Sequence, residues 1–178
     1  MGKPSFLAII SATEYGYIRD DGVYVIPILL FQEGDQEVKS FVCIHNSARS
    51  QMAEAFLNRL GQGKFTAESA GLEPGSLNPF VVKSMAEIGY DISSNQTDSV
   101  FEFFKKDRKY NVVVKVCDQA NGPKCPIFPS AKTTLVWSFA DPSSFVGTAT
   151  ERMVKTNEVR DQIKTRIEEF IRVCEVEP

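Results

Sequence analysis

A change of hydrophobic period around Cys43 constrains this chain more than any other feature. The apolar residues before the cysteine read as a short buried strand. Beyond it, Ala53, Phe56, Leu57 and Leu60 fall at i, i+3, i+4 and i+7, one apolar face of a helix. Gly61 is the expected stop for that helix. Between strand and helix lies Cys43-Ile44-His45-Asn46-Ser47-Ala48-Arg49-Ser50. A strand, a tight loop and a helix start turn a run of backbone N–H groups toward one point, which makes a nest for an oxyanion. Residues 44–50 are therefore the expected anion-binding residues. Arg49 adds a planar fork of donors matched to a tetrahedral oxyanion. A helix N-terminus and a nearby arginine lower a thiol pKa from ~8.5 by one to several units, so Cys43 is expected to be a thiolate nucleophile at neutral pH. Ser50, just inside the helix, can donate its hydroxyl to that thiolate. Cys-x5-Arg alone is a weak pattern, and a buried structural cysteine is its plain alternative. The flanking strand and helix give it weight.

The rest of the chain repeats the alternation. Residues 64–69 read as a second short strand, and Asn78-Pro79 as a helix start with Asn as N-cap and Pro at the first turn. Val82, Met85 and Ala86 are expected to face inward there, with Gly89 ending the helix. Val100, Phe101, Phe103 and Phe104 suggest a third, short helix, and the basic run 105–109 at its end reads as a solvated terminus. Residues 111–116 form the clearest buried parallel strand and 133–137 the next. From about Glu151 to Cys174 runs the longest helix, with Val159, Ile163, Ile167, Phe170, Ile171 and Cys174 on one stripe. Strands alternating with helices imply an α/β fold: a four-stranded parallel sheet with helices on both faces, here over residues 38–178. Residues 1–37 read as a β-rich extension and linker, with a hairpin turn at Asp20-Asp21-Gly22. The nucleophile follows the first strand of the main domain, at the carboxyl edge where such sheets bind ligands.

Charge and cysteine usage narrow the function classes. A net charge of −3 gives no electrostatic support for nucleic-acid binding. Residues 6–10 are too short for a signal-peptide core, and the apolar run 23–31 is short and contains Pro27, so neither export nor a membrane span is expected. The cytoplasm is the expected compartment, where cysteines are more often catalytic than structural. Two of the four cysteines pair suggestively. Cys117 follows the strand 112–116 at the same sheet edge as Cys43, and Cys125 lies eight residues on, across a polar connector with Gly122 and Pro123. Eight helical residues would span ~12 Å, whereas a disulfide needs Cα atoms about 4.4–6.8 Å apart. A Cys117–Cys125 bond therefore requires the connector to loop out. The residues alone leave open whether these are a redox switch or two unrelated thiols. Cys174, on the apolar stripe, reads as core. Asp141-Pro142 is by itself a turn signal, though a carboxyl near an anion site can protonate a leaving oxygen.

The stretch Phe41–Phe56, and Cys43–Ser50 within it, closely resembles the phosphate-binding loop of the low-molecular-weight tyrosine phosphatase superfamily. Within that superfamily the chain resembles the thioredoxin-coupled arsenate reductases, from about Val38 to about Val173. The resemblance implies reduction of arsenate to arsenite, with phosphate or sulfate as mimics. It implies Cys43 as nucleophile, Arg49 and Ser50 as its partners, Asp141 as general acid, and a relay through Cys117 and Cys125 whose final disulfide thioredoxin reduces. No flavin or nicotinamide motif is present, so electrons are expected from a partner and not from a bound cofactor. The resemblance also implies a potassium site at Asn46, Glu54, Ser69 and Asp98, an oxygen-only set suited to a hard cation. His45, the only histidine, is given no proton-transfer role. The connector between Cys117 and Cys125 is one residue longer than in the best-known members.

Two rival readings share these residues. A protein tyrosine phosphatase or other phosphomonoesterase would use Cys43, Arg49 and Asp141 without Cys117 or Cys125. Ala48, and Ser143 where phosphatases often carry an aromatic residue, lean toward the reductase. A non-catalytic anion- or redox-sensing module attached through residues 1–37 is the second rival, and the complete set of nucleophile, anion ligand and acid weighs against it.

Overall fold

The structure, a computed structural model, describes residues 8–11, 17–18, 24–27, 37–43, 45–116 and 131–175. Three short strands come first: β1 (Ala8–Ser11), β2 (Tyr17–Ile18) and β3 (Tyr24–Pro27). β3 pairs in parallel with β1 and antiparallel with β2. The main sheet contains β4 (Glu37–Cys43), β5 (Phe65–Gly71), β6 (Tyr110–Lys115) and β7 (Ala131–Val136), in the order β5-β4-β6-β7, all parallel. The helices are α1 (Arg49–Leu60), α2 (Pro79–Glu87), α3 (Val100–Lys105) and α4 (Ala149–Glu175). A 3-10 turn, Pro142–Ser144, precedes α4.

Side chains on successive strand residues leave opposite faces of the sheet, which sorts the core into two layers. Phe41 and Cys43 of β4 and Val112 and Val114 of β6 lie with Met52, Phe56 and Leu57 of α1, Met85 of α2, and Val159, Ile163 and Ile167 of α4. Val42 and Val113 leave the other face and meet Val100 and Phe103 of α3. Full burial of such a side chain contributes ~1.5–3 kcal/mol, so the larger layer under α1 and α4 dominates. The long helix carries the anticipated stripe: Val159, Ile163, Ile167 and Ile171 are buried, with Phe170 and Cys174 packed at its margin.

One expectation about the fold is corrected, the inward face of α2; α1 stops at Gly61 and α3 forms over Val100–Lys105 as expected. Gly61 caps α1 with φ −74°, an ordinary right-handed value. Its smallness is needed for a different reason, since an added Cβ would stand 2.7 Å from the Leu57 carbonyl oxygen and 2.8 Å from the Phe65 ring. In α2 the buried positions are Val81, Ser84 and Met85, while Ala86 is exposed. The stripe is rotated because Ser84 donates its hydroxyl to Asn157 Oδ1 of α4 at 2.6 Å and is thereby buried as a polar contact. In α3 only Val100 and Phe103 are buried; Phe101 and Phe104 are each 59% exposed. Gly89 likewise ends α2 as expected: it sits at φ +79°, with Gly89 N–H on the Ala86 carbonyl and Tyr90 N–H on the Met85 carbonyl, a Schellman closure.

From β4 the chain crosses to β5 on one side and later returns to β6 on the other. The loop after β4 therefore sits over the point where strand order reverses, the usual ligand position in an open parallel sheet. No helix among the described residues is long and apolar enough to cross a membrane.

Candidate active site

The loop between β4 and α1 is built around the Cys43 sulfur. Asn46 takes φ +52°, a left-handed conformation that asparagine tolerates better than most residues, and so curls the loop back on itself. Its N–H donates to Cys43 Sγ at 2.9 Å. Ser50 Oγ lies 2.9 Å from the same sulfur. The residue at the helix N-cap is Ala48, which makes no side-chain cap, so the first N–H groups of α1 are left for an anion.

Burial is the strongest influence on the Cys43 thiol and pushes its pKa above the ordinary value. The Ser50 hydroxyl, the Asn46 N–H, the Arg49 charge and the His45 N–H pull in the opposite direction without overcoming it. This corrects the expectation of a lowered pKa. A helix start and an arginine are legible in a sequence; the desolvation of a sulfur that is 4% exposed is not.

Arg49 is 4% exposed and doubly held. Its Nη1 donates to the Phe139 carbonyl at 2.9 Å, and its Nη2 stands 3.0 Å from Asp141 Oδ2. Asp141 is the N-cap of the 3-10 turn, accepting from Ser143 N–H at 3.0 Å. The general-acid candidate, the arginine and the nucleophile thus share one site. His45 is at its rim, exposed, with Nδ1 3.1 Å from the Glu73 carbonyl.

Beneath the loop is a buried amide network. Asn46 Nδ2 donates to Ser50 Oγ at 3.0 Å and to Ser69 Oγ at 2.7 Å. Asn46 Oδ1 accepts from Gln51 Nε2 at 3.0 Å and from Asp98 N–H at 2.8 Å. Ser69 Oγ donates to Glu54 Oε2 at 2.5 Å. The four residues expected to form a cation site therefore lie together. Burial raises the Glu54 pKa; the Ser69 hydroxyl pulls it down and the Asp98 charge pushes it further up.

Sequence reasoning missed several participants. Gln51, 1% exposed, bridges Asn46 to the Gln96 carbonyl and accepts from Asn95 Nδ2 at 2.9 Å. Phe139 serves through its main chain, which no side-chain motif reports. Asn78 was identified as a helix cap, and accepts from Phe80 N–H as one, but its own N–H also holds the Ser47 carbonyl at 2.9 Å. Cys117 and Cys125 lie outside the described residues, as does Ile44.

A family model described as low molecular weight phosphotyrosine protein phosphatase matches residues 39–176. An arsenate reductase of Halalkalibacterium halodurans is 38% identical over 136 residues, covering 76% of this chain and 96% of that protein. An arsenate reductase of Bacillus subtilis is 37% identical over 136 residues, with the same coverage of 76% and 96%. Among solved structures, an arsenate reductase in the phosphate-binding state superposes with a TM-score of 0.63 at 34% identity, covering 78% of this chain and 99% of that one.

Proposed function

Because the chain belongs to the low-molecular-weight phosphotyrosine protein phosphatase family, and within it to the arsenate reductases, we propose that it reduces arsenate to arsenite through a relay of Cys43, Cys117 and Cys125, with thioredoxin as the external reductant. One observation supports the relay above others. Val116 N–H donates to the Val42 carbonyl at 3.0 Å, in continuation of the register Val42↔Lys115. The residues that follow these two in sequence are Cys117 and Cys43. Adjacent parallel strands run ~4.8 Å apart, so the described part of β6 ends beside the strand that carries Cys43, which supports the relay; Cys117 itself lies outside the described residues.

Arsenate enters the nest and takes Arg49's donors, displacing Asp141 from the ion pair. Asp141, freed from the arginine, takes the Cys43 thiol proton by way of the bound arsenate; the thiolate, stabilised by Ser50 Oγ and Asn46 N–H, attacks arsenic, and Asp141 returns that proton to the departing hydroxyl, which leaves as water. Cys117 then attacks the Cys43 sulfur. The S–As electron pair stays on arsenic, which leaves as arsenite, and a Cys43–Cys117 disulfide remains. Cys125 attacks Cys117, forms Cys117–Cys125 and restores Cys43; a dithiol partner reduces that last bond. The same nucleophile, arginine and acid suit a phosphate monoester, so weak phosphatase activity is expected alongside.

A potassium ion fits part of the implied set. Glu54, Ser69 and Asp98 supply oxygen ligands, and a buried Glu54 whose ionisation is made costlier by the Asp98 charge is what a cation relieves. Asn46 Oδ1 already accepts two hydrogen bonds and would exchange one. A bound ion would supply positive charge beneath the loop; Asn46 and Ser69 hold the loop in place.

The test is arsenite formation with thioredoxin, thioredoxin reductase and NADPH, beside a glutaredoxin-driven control. Cys43→Ser should abolish reduction and hydrolysis of p-nitrophenyl phosphate. Cys117→Ser and Cys125→Ser should abolish multiple-turnover reduction and spare the hydrolysis. Sustained turnover by either removes the relay.

A further inference from the structure

Three carbonyls of the anion loop are held from outside by a single stretch of chain. Leu72 N–H donates to the Cys43 carbonyl at 3.2 Å, Gly75 N–H to the His45 carbonyl at 3.0 Å, and Asn78 N–H to the Ser47 carbonyl at 2.9 Å. The spacing is regular on both sides: every third residue of 72–78 holds every second residue of 43–47. This pattern has a stereochemical consequence. All peptide bonds among the described residues are trans, so a carbonyl turned outward turns the N–H of the next residue inward. At one position both halves are visible. The His45 carbonyl faces Gly75, and the Asn46 N–H on the same peptide plane donates to Cys43 Sγ at 2.9 Å. At the next, the Ser47 carbonyl faces Asn78, and the Ala48 N–H is sent toward the concave side of the loop.

We propose that residues 72–78 form a positioning strap, which sets the peptide planes after His45 and Ser47 so that the Asn46 and Ala48 N–H groups join the His45 N–H in facing the sulfur and the oxyanion. The strap is itself anchored. Thr97 Oγ1 donates to the Gly75 carbonyl at 2.6 Å, and His45 Nδ1 lies 3.1 Å from the Glu73 carbonyl. Every contact to the loop's carbonyls runs through main chain, so the strap acts through the loop without touching substrate. The nest is preorganised: the donors need not reorient when the anion arrives, which is how such arrays contribute to binding and rate. The inference rests on the loop being the oxyanion site, and the experiment separates the two.

Gly75 is the point of attack. Its φ lies outside the left-handed region and an added Cβ would stand 3.7 Å from His45 Cβ, ordinary contact distance, so Gly75→Ala keeps both the N–H and the fold. Gly75→Pro deletes the N–H, and it also fixes φ near about −65° and restricts Pro74. Phosphate affinity by calorimetry, arsenate KM and kcat, and peptide-resolved iodoacetamide alkylation of Cys43 across pH are measured for wild type and both variants. Gly75→Pro should weaken phosphate binding and raise arsenate KM by roughly tenfold, the effect of about one mis-set hydrogen bond. It should also move the Cys43 alkylation profile to higher pH, because the Asn46 N–H no longer points at the sulfur. Gly75→Ala should restore the wild-type profile. A folded Gly75→Pro protein with the affinity and alkylation profile of Gly75→Ala overturns the strap. If Gly75→Pro does not fold, Thr97→Val decides: a rise of roughly two- to fivefold in the phosphate Kd supports the strap and an unchanged Kd overturns it. Wild-type protein that neither binds phosphate nor turns over arsenate takes down the oxyanion reading itself, and the strap with it.

Discussion

The Arg49 guanidinium and the Asp141 carboxylate meet at 3.0 Å, with side-chain exposures of 5% and 29%. The pair ties the first residue of α1 to the turn before α4, so the proposed anion ligand and the proposed acid occupy one another. Asp141→Asn leaves Arg49 uncontested and removes the proton donor. The expected result is a kcat for arsenate lower by ~10²–10⁴ with KM unchanged or lower. Steady-state kinetics check it, and an unaltered kcat excludes Asp141 from proton transfer.

Ser50→Ala removes the largest of the interactions that lower the Cys43 pKa, after burial has raised it. Alkylation of Cys43 by iodoacetamide should slow at neutral pH, and its pH midpoint should move upward, since only the thiolate reacts. A midpoint equal to wild type would show that the 2.9 Å contact does not act on the charged form.

Glu54 supplies a stability signature. Its pKa is raised from 4.5, so the folded state holds the proton more tightly than the unfolded chain. That contribution is complete below the unfolded value and is lost as pH rises through the folded one. In buffer free of alkali cations, Glu54→Gln should therefore gain melting temperature relative to wild type as pH climbs from 4.5 toward 7. Added potassium should stabilise wild type at pH 7 and leave the variant unmoved. An equal response in both proteins rules out Glu54 as a ligand.

The two core layers make a simpler test. Ile163→Ala, at a fully buried position on α4, should cost ~2–5 kcal/mol. Phe104→Ala, 59% exposed on α3, should stay within ~0.5 kcal/mol. Urea unfolding of both variants compares them directly.

Much of this was legible in the chain, for identifiable reasons. The α4 stripe was readable because isoleucine and valine at helical spacing have one good place to go. The Asn78-Pro79 start was readable because its cap uses a side chain. Ala86 was misplaced because Ser84 does not look like a core residue until Asn157, 73 positions away, accepts its hydroxyl. Gln51 was overlooked for a related cause: a buried glutamine is legible only through the partners that satisfy it. The direction of the Cys43 pKa was missed because desolvation depends on what packs around the sulfur. The strap left no trace, as peptide N–H groups belong to nearly every residue and carry no signature of their own.

Phe139 reaches Arg49 through a carbonyl oxygen. Any amino acid at that position offers the same acceptor, provided the backbone keeps its path. The arginine's aim is thus insulated from drift at codon 139, whereas an insertion or deletion between β7 and the Asp-Pro turn would swing the acceptor away. Over evolutionary time this segment should tolerate changes of letter far better than changes of length.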